Sequence, residues 1–264
     1  MDQLTRCLDG KMYVISTCEE LAYPFRTHPQ LAETLDSLAK SRGVALVGTG
    51  VNPGFVMDKL IVTLAAVCQR VDQVKAMRVV DASTRRLPLQ KKIGAGMDLD
   101  AFRSQVSKGL IKHVGLPESL AMVADALGLP IEEIKETIEP VLARKRIKTQ
   151  FLTVEPGQVA GLHQKAVGFQ GRKPLIQLEL QMYVGAENPN DCLELEGSPH
   201  MTLVIPGGSP GDTATASMVV NSIPKILTAR AGLRTSLDLA VGFLSPTRGL
   251  TGRCCSPSLQ DLEK

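Results

Sequence analysis

Between residues 11 and 81 the chain alternates short apolar runs with helical segments, and this alternation restricts its fold more than any other feature. Lys11-Met12-Tyr13-Val14-Ile15-Ser16-Thr17-Cys18 reads as a buried strand that ends on a carboxylate pair, Glu19-Glu20. Tyr23-Pro24 breaks the run. Pro29 then opens a helix whose Leu31, Leu35 and Leu38 share one face before Arg42-Gly43 closes it. Val44-Ala45-Leu46-Val47 is a continuous apolar strand, the pattern of a parallel strand buried on both faces. A glycine-rich turn follows at 48–54, then an expected helix over 55–68 and a strand over 71–81. This β-α-β-α-β order predicts a parallel α/β sheet. Because a short helical end and a glycine precede the first strand, the opening reads as the middle of an α/β nucleotide-binding unit. Residues 1–52 are therefore expected to be the C-terminal remnant of a dinucleotide-binding domain.

The remainder predicts a different architecture. Helices are expected over 98–108 and 117–127, the second stopped by Gly128, and a third from Pro130 carrying Ile131, Ile134 and Ile138. From Lys148 the apolar period becomes two, which predicts antiparallel strands over 151–154, 159–169, 175–183, 192–195 and 202–205. Gln170-Gly171-Arg172-Lys173-Pro174 joins two of them as a hairpin. A helix returns over 212–227. The expected fold is thus a remnant of a parallel Rossmann-type sheet followed by an α+β catalytic and dimerisation domain over 53–245. Residues 246–264 read as an irregular tail.

Composition removes several function classes. A net charge of +3 with scattered Lys and Arg gives no footprint for nucleic acid. Arg144-Lys145-Arg146 reads as a solvated helix end, and aromatics at 3% leave no stacking platform. The six cysteines form no CxxC pair, and no credible metal constellation is found. Dispersed thiols favour a reducing, cytoplasmic setting. No basic stretch precedes an apolar run at the start, and no apolar segment reaches the ~20 residues that span a bilayer, so neither signal peptide nor membrane partner is expected.

Three stretches offer chemistry. Gly48-x-Gly50-x-x-x-Gly54 lies between a strand and a helix, the setting of a dinucleotide fingerprint, with Asp72 eighteen residues beyond Gly54. Against that reading, Pro53 lacks the N–H that phosphate cradling uses, and Asp72 precedes its strand. The better reading is a tight turn at the carboxyl end of a parallel strand, where ligands of such sheets bind, with Asn52 capping the helix and facing the crevice. Glu19 and Glu20 stand at the end of the first strand. Either one serves proton transfer, its pKa raised by burial and by its neighbour, or one is solvated while the other caps a turn. The segment 78–86, with Arg78, Asp81 and Arg85, either grips a charged substrate or forms a surface ion-pair cluster. His113 in a loop and His163 in a strand read as structural. The turn 207–215 either meets an anion or the nicotinamide end of a cofactor through free N–H groups, or is a plain cap with Asp212 as N-cap.

Six ordered stretches together resemble the 2,4-diaminopentanoate dehydrogenases, members of the dihydrodipicolinate reductase-like oxidoreductases that include amine dehydrogenases. They are Ser16-Thr17-Cys18-Glu19-Glu20-Leu21-Ala22-Tyr23-Pro24, residues 48–55, residues 78–86, His113-Val114-Gly115-Leu116-Pro117-Glu118-Ser119, Thr153-Val154-Glu155-Pro156-Gly157-Gln158, and residues 211–216. The resemblance implies oxidative deamination of an amine-bearing carbon with NADP or NAD, or its reversal. It places the acid/base role on Glu20, or on Glu19 if the register is one off. It assigns Asn52, Arg78, Asp81, Arg85 and His163 to the substrate, and Cys18, Gly50, Pro53, Gly54, Phe55, Asp212 and Thr213 to the cofactor. The implied partners are a small amine or amino-acid substrate and a second copy in a homodimer. Family members carry a GxGxxG half before the point where this sequence starts, so the chain is expected to be truncated, and 247–264 matches nothing in the family. The competing expectations are a non-catalytic dimerising fragment and an imine reductase of the dihydrodipicolinate reductase type.

Overall fold

The computed structural model describes residues 2–240, so the expected tail lies outside the described residues. In chain order the elements begin with α1 (Asp2–Asp9), β1 (Val14–Ser16), a 3-10 turn (Glu19–Ala22), α2 (Pro24–Thr27), α3 (Pro29–Arg42) and β2 (Ala45–Gly48). Then come α4 (Lys59–Ala65), β3 (Arg70–Asp81), α5 (Leu87–Lys92), α6 (Leu99–Ser107) and α7 (Leu116–Leu127). The strands β4 (Glu133–Leu142), β5 (Ile147–Lys148), β6 (Thr153–Val154), β7 (Val159–Gln170), β8 (Lys173–Tyr183), β9 (Asn190–Ser198) and β10 (Met201–Pro206) follow. The described chain closes with α8 (Gly211–Ile226) and β11 (Gly232–Arg234).

The first sheet is parallel, in the order β1-β2-β11, with Val14 beside Leu46 and Gly232 beside Ala45. Alternate residues of β2 enter different cores. Val44 and Leu46 pack with Leu8 of α1 and Leu35 and Ala39 of α3, whereas Ala45 and Val47 pack with Ile226 of α8 and Leu239. Helices therefore cover both faces, which is why this strand carries no polar residue. Each such buried aliphatic side chain contributes about 1.5–3 kcal/mol.

The second sheet is mixed, in the order β10-β9-β3-β8-β7-β4. Its β7–β8 hairpin closes with Gln170 opposite Lys173, as the sequence predicted. Here one face only is covered. Val74, Ala76, Ile176, Leu178 and Ala166 pack under Ile61 of α4 and Leu120 and Val123 of α7, while Lys75, Glu179 and Lys165 point to the other side and pair with carboxylates or cations there.

Several expectations change on folding. The strand expected as the third member of the parallel sheet, β3, belongs instead to the mixed sheet, parallel to β8 and antiparallel to β9. Its alternating polar positions suit a sheet with one wet face. The helix expected from Pro130 is a strand, β4, at the sheet's edge. Ile134 and Ile138 lie four residues apart, a spacing that puts them on one face of a helix and of a strand alike. Pro140 suits an edge position. Arg144-Lys145-Arg146 consequently lies in the β4–β5 turn, where Lys145 pairs with Glu187 at 2.9 Å and Arg146 with Glu155 at 3.1 Å. The helix expected over 55–68 begins only at Lys59. The three-residue β11, too short to leave a periodic signal, brings residues 232–234 back to the first sheet.

Candidate active site

A cleft of about 530 Å³ lies where the carboxyl ends of β1 and β2 meet the covered face of the mixed sheet. Thr17, Glu19, Val51 and Asn52 come from the first region, and Arg78, Val80, Leu162, Leu180 and Met182 form the floor. Arg85, Arg86, Leu89, Lys92 and Ile93 come from the β3–α5 stretch, Lys112 and His113 from the loop before α7, and Gly211, Asp212 and Thr215 from the start of α8.

The position of Glu19 follows from local packing. A side chain at Gly48 would run into the backbone of Leu21 and Ala22, so the glycine that ends β2 lets the 3-10 turn lie directly on that strand. The chain just beyond is fastened to α7, where Tyr23 Oη donates to Asp125 at 2.7 Å and Arg26 also pairs with Asp125. Of the carboxylate pair, only Glu19 lines the cleft. Its pKa is raised, foremost by burial and further by Glu20 and Glu118, while Lys92 opposes the rise. Glu20 is exposed and accepts a hydrogen bond from the Cys18 thiol at 3.2 Å, and its pKa is lowered, chiefly by a backbone hydrogen bond. The residue facing the cleft is thus Glu19, and Glu20 with Cys18 sits outside it.

His113, read as structural, stands in the cleft with Nε2 3.7 Å from Glu19 Oε1. Gln164 holds it there through a reciprocal pair, its Oε1 accepting from His113 N and its Nε2 donating to His113 O, both at 2.7 Å. Burial, followed by the charges of Lys92 and Arg78, pushes the His113 pKa down to about 3, so the ring is neutral at physiological pH. A hydrogen bond with the Asn52 backbone works against this fall without reversing it. The available signal was a polar residue at an inward position: Leu162, Gln164 and Ala166 alternate along the covered face of β7.

That same parity removes His163 from the cleft. It lies on the opposite face, bonded to Glu179 at 3.0 Å. Asp81 is withdrawn too, because one of its oxygens accepts from Ser83 N, Ser83 Oγ and Gly185 N. Arg78 lies at the floor, with 3% of its side chain exposed. It is locked to the fully buried Asp191 at 2.9 Å and donates to Ser209 O at 2.7 Å. Arg85 lines the cleft and pairs with Asp212 at 2.7 Å. Gln90, fully buried, holds the turn carrying Arg85 by donating to the carbonyls of Ala82, Ser83 and Arg85.

In the turn 48–54 three backbone donors are engaged within the protein, and Pro53 has none to offer. Thr49 N donates to Ser16 O, Val51 N to Thr215 Oγ1, and Gly54 N to Asp58 Oδ2. Gly54 takes a φ of +123°, and a side chain there would collide with the backbone of Gly50. The N-cap of α4 is Asp58 rather than Asn52. Gly50, Pro53, Gly54 and Phe55 are absent from the cleft wall: Pro53 packs against Gly115, and Phe55 against the main core. Asn52 does line the cleft, and its side-chain oxygen is buried without a partner. Asp212 does not cap α8, whose N-cap is Pro210, and Thr213 lines a smaller adjoining cavity. Asp72 pairs with Arg70 at the sheet's rim, far from any ribose-binding arrangement.

Folding also gathers Glu194, Glu196 and His200, whose ligand atoms lie within 4.8 Å of one another. Lys75 already lies 3.4 Å from both carboxylates, so this cluster on the open face is an ion-pair network. Four described cysteines (Cys7, Cys18, Cys68 and Cys192) are free thiols. No helix among the described residues is long and apolar enough to cross a membrane.

Residues 55–246 match the family profile described as the 2,4-diaminopentanoate dehydrogenase C-terminal domain. The chain is 33% identical over 246 residues to the 2,4-diaminopentanoate dehydrogenase of Acetoanaerobium sticklandii, covering 91% of this chain and 70% of that protein. It is 23% identical over 280 residues to the amine dehydrogenase of Streptomyces virginiae, covering 95% and 75% respectively. Its fold is like that of the amine dehydrogenase from Mycobacterium smegmatis, with a TM-score of 0.79 at 24% identity over 92% of this chain and 73% of the other.

Proposed function

The chain belongs to the 2,4-diaminopentanoate dehydrogenase family, a family of oxidoreductases, and from that premise we propose that it oxidises the amine-bearing carbon of a small amino-acid substrate, with Glu19 as the acid/base. Overall, a CH–NH3⁺ group and water become a carbonyl, ammonium and one released proton, while one hydride passes to a nicotinamide dinucleotide, NAD or NADP. The cleft fits the nicotinamide end of such a cofactor. It lies at the carboxyl ends of parallel strands, and the buried Asn52 side-chain oxygen has no partner within the protein. Bound there, the cofactor supplies the hydride acceptor, and Asn52 and Thr17 are the residues placed to hold it.

The chain's own residues supply the proton chemistry. Glu19 Oε1 accepts the proton that the substrate ammonium must lose before its carbon can give up a hydride and releases it to solvent; it then accepts one from the water that adds to the resulting iminium and returns it to the departing nitrogen. A carboxyl whose pKa is raised by burial is poised for both transfers, because it binds and releases protons closer to neutral pH than a solvated glutamate. Neutral His113 beside it adds no positive charge that would repel the ammonium. Leu162, Leu180 and Met182 exclude water from the floor. The observation carrying this reading is the half-buried carboxylate of Glu19, 3.7 Å from neutral His113 at the mouth of the first parallel strands.

The test is reduction of NAD or NADP by 2,4-diaminopentanoate, followed in the full chain and in two variants. Glu19→Gln is expected to lower turnover by about 10²–10⁴-fold, while Glu20→Gln stays near the parent. Loss in Glu20→Gln with retention in Glu19→Gln would reverse the assignment. No reduction of either dinucleotide by the parent chain would end the reading.

A further inference from the structure

The cleft carries more positive charge than amine chemistry alone explains. Five cationic side chains line it against two carboxylates, Glu19 and Asp212, although an amine substrate is itself a cation. Arg78 is already matched by buried Asp191, and Lys92 stands near enough to Glu19 to hold that carboxyl's pKa down. Arg86 and Lys112 are exposed at the mouth. Arg85 differs from all of these. Only 17% of its side chain is exposed, its Nε is buried with no hydrogen bond, and its ion-pair partner Asp212 is 64% exposed. A pair with so solvated a partner is weak and easily exchanged.

Its surroundings add a second reason. A Cβ at Gly211 would collide with Arg85 Nη1, so the glycine lets the guanidinium lie against the first turn of α8. The 16-residue helix presents its positive end at that point, so two positive features face one another with only the Asp212 carboxylate between them. An anion entering from the cleft would take that place, and a guanidinium binds a carboxylate through two parallel N–H donors.

We propose that Arg85 grips the carboxylate of an amino-acid substrate, exchanging it for Asp212, and so sets a preference for amines that bear a carboxylate over those that do not. This rests on the reading of the cleft as the site of amine oxidation. Seen from the substrate, the ammonium is drawn to Glu19 at one wall and the carboxylate to Arg85 at the other, which fixes which end of the molecule meets the proton-transfer group.

The experiment is binding by calorimetry to the full chain of three probes: 2,4-diaminopentanoate, butane-1,3-diamine (the same diamine without its carboxylate) and pentanoate (a carboxylate without amines). The parent is expected to bind the diamino acid at least tenfold tighter than the diamine. Arg85→Gln should abolish that preference and the binding of pentanoate without weakening the diamine, and Asp212→Asn should tighten both carboxylate probes. Arg85→Lys, which keeps the charge without the two-pronged geometry, should retain only part of the preference and covers the case in which Arg85→Gln does not fold. Pentanoate binding that is unchanged in Arg85→Gln, a preference undiminished in Arg85→Lys, or a parent that binds neither carboxylate probe overturns the proposal. Arg85-dependent pentanoate binding in a chain that does not bind the diamine would uphold Arg85 as a carboxylate anchor while rejecting the amine reading.

Discussion

Two polar groups of side chains sit at the two ends of the turn that follows β2, and they are built on opposite principles. Around Asp58 the polar atoms are matched inside the protein. Its carboxylate accepts from Gly54 N at 2.7 Å, Lys59 N at 2.5 Å and Ser119 Oγ at 2.8 Å, while the Lys59 ammonium donates to the carbonyls of Ser236 and Leu239. At the cleft the pattern is the reverse. Asn52 Oδ1 and Arg85 Nε are buried without hydrogen-bond partners, and Glu19 approaches His113 only to 3.7 Å. Leaving a buried polar atom unmatched costs roughly 1–3 kcal/mol, so a protein keeps several together only where something else completes them. The first cluster holds the turn in shape, and the second is where the proposed substrate and cofactor would supply the missing partners.

Removing a carboxylate from each cluster separates the two principles. Asp58→Ala strands the Gly54 and Lys59 amides, the Ser119 hydroxyl and the buried Lys59 ammonium together. A loss of about 3–5 kcal/mol in unfolding free energy is expected in denaturant melts, with binding lost only as the fold is lost. A change below about 1 kcal/mol would mean that the turn is held by its apolar packing alone.

A smaller effect belongs to His113, and its sign is set by linkage. The folded pKa is about 3, against a usual value of 6.5, so between these limits the unfolded chain takes up a proton that the folded chain refuses. The stability associated with a neutral His113 is complete above pH 6.5 and is lost as pH falls toward 3, reaching about 2 kcal/mol by pH 5. The raised pKa of Glu19 acts in the opposite sense, favouring the folded state as pH falls. The difference between parent and His113→Gln melts isolates the histidine: the variant should show a flatter decline between pH 6.5 and 5, and an identical slope would mean that His113 is free to protonate in the fold.

What could be read beforehand follows the same division. Patterns repeated over many residues survived: the continuous apolar run of β2, the alternation of β7 and β8, and the leucine face of α3 each dictate one geometry. Ile134 and Ile138 did not, because their spacing satisfies both periods and the decision falls to the pairing of β4 with β7. The strand β3 was legible as a strand but not as a member of its sheet, although its wet positions at Lys75 and Arg70 already set it apart from β2. At the cleft, the carboxylate pair, Asn52 and Arg85 were visible as chemistry at strand ends. What the sequence withheld was orientation. Which of Glu19 and Glu20 turns inward depends on Gly48 admitting the 3-10 turn, and the presence of His113 depends on Gln164, fifty-one residues away. His163, structural from its residues and assigned to the substrate only through the resemblance, lies on the other face because one step along a strand reverses it.

The most direct test of the central contrast is to follow the side-chain carboxyls of Glu19 and Glu20 by carbon-detected NMR titration of the folded protein. Glu19 is expected to titrate above the ordinary glutamate value of 4.5 and Glu20 below it, with the upper midpoint falling further when Glu20 is replaced by glutamine. Coincident midpoints, or an order with Glu20 above Glu19, would show that Glu19 is not held in the less solvated setting of the two and would contradict the account.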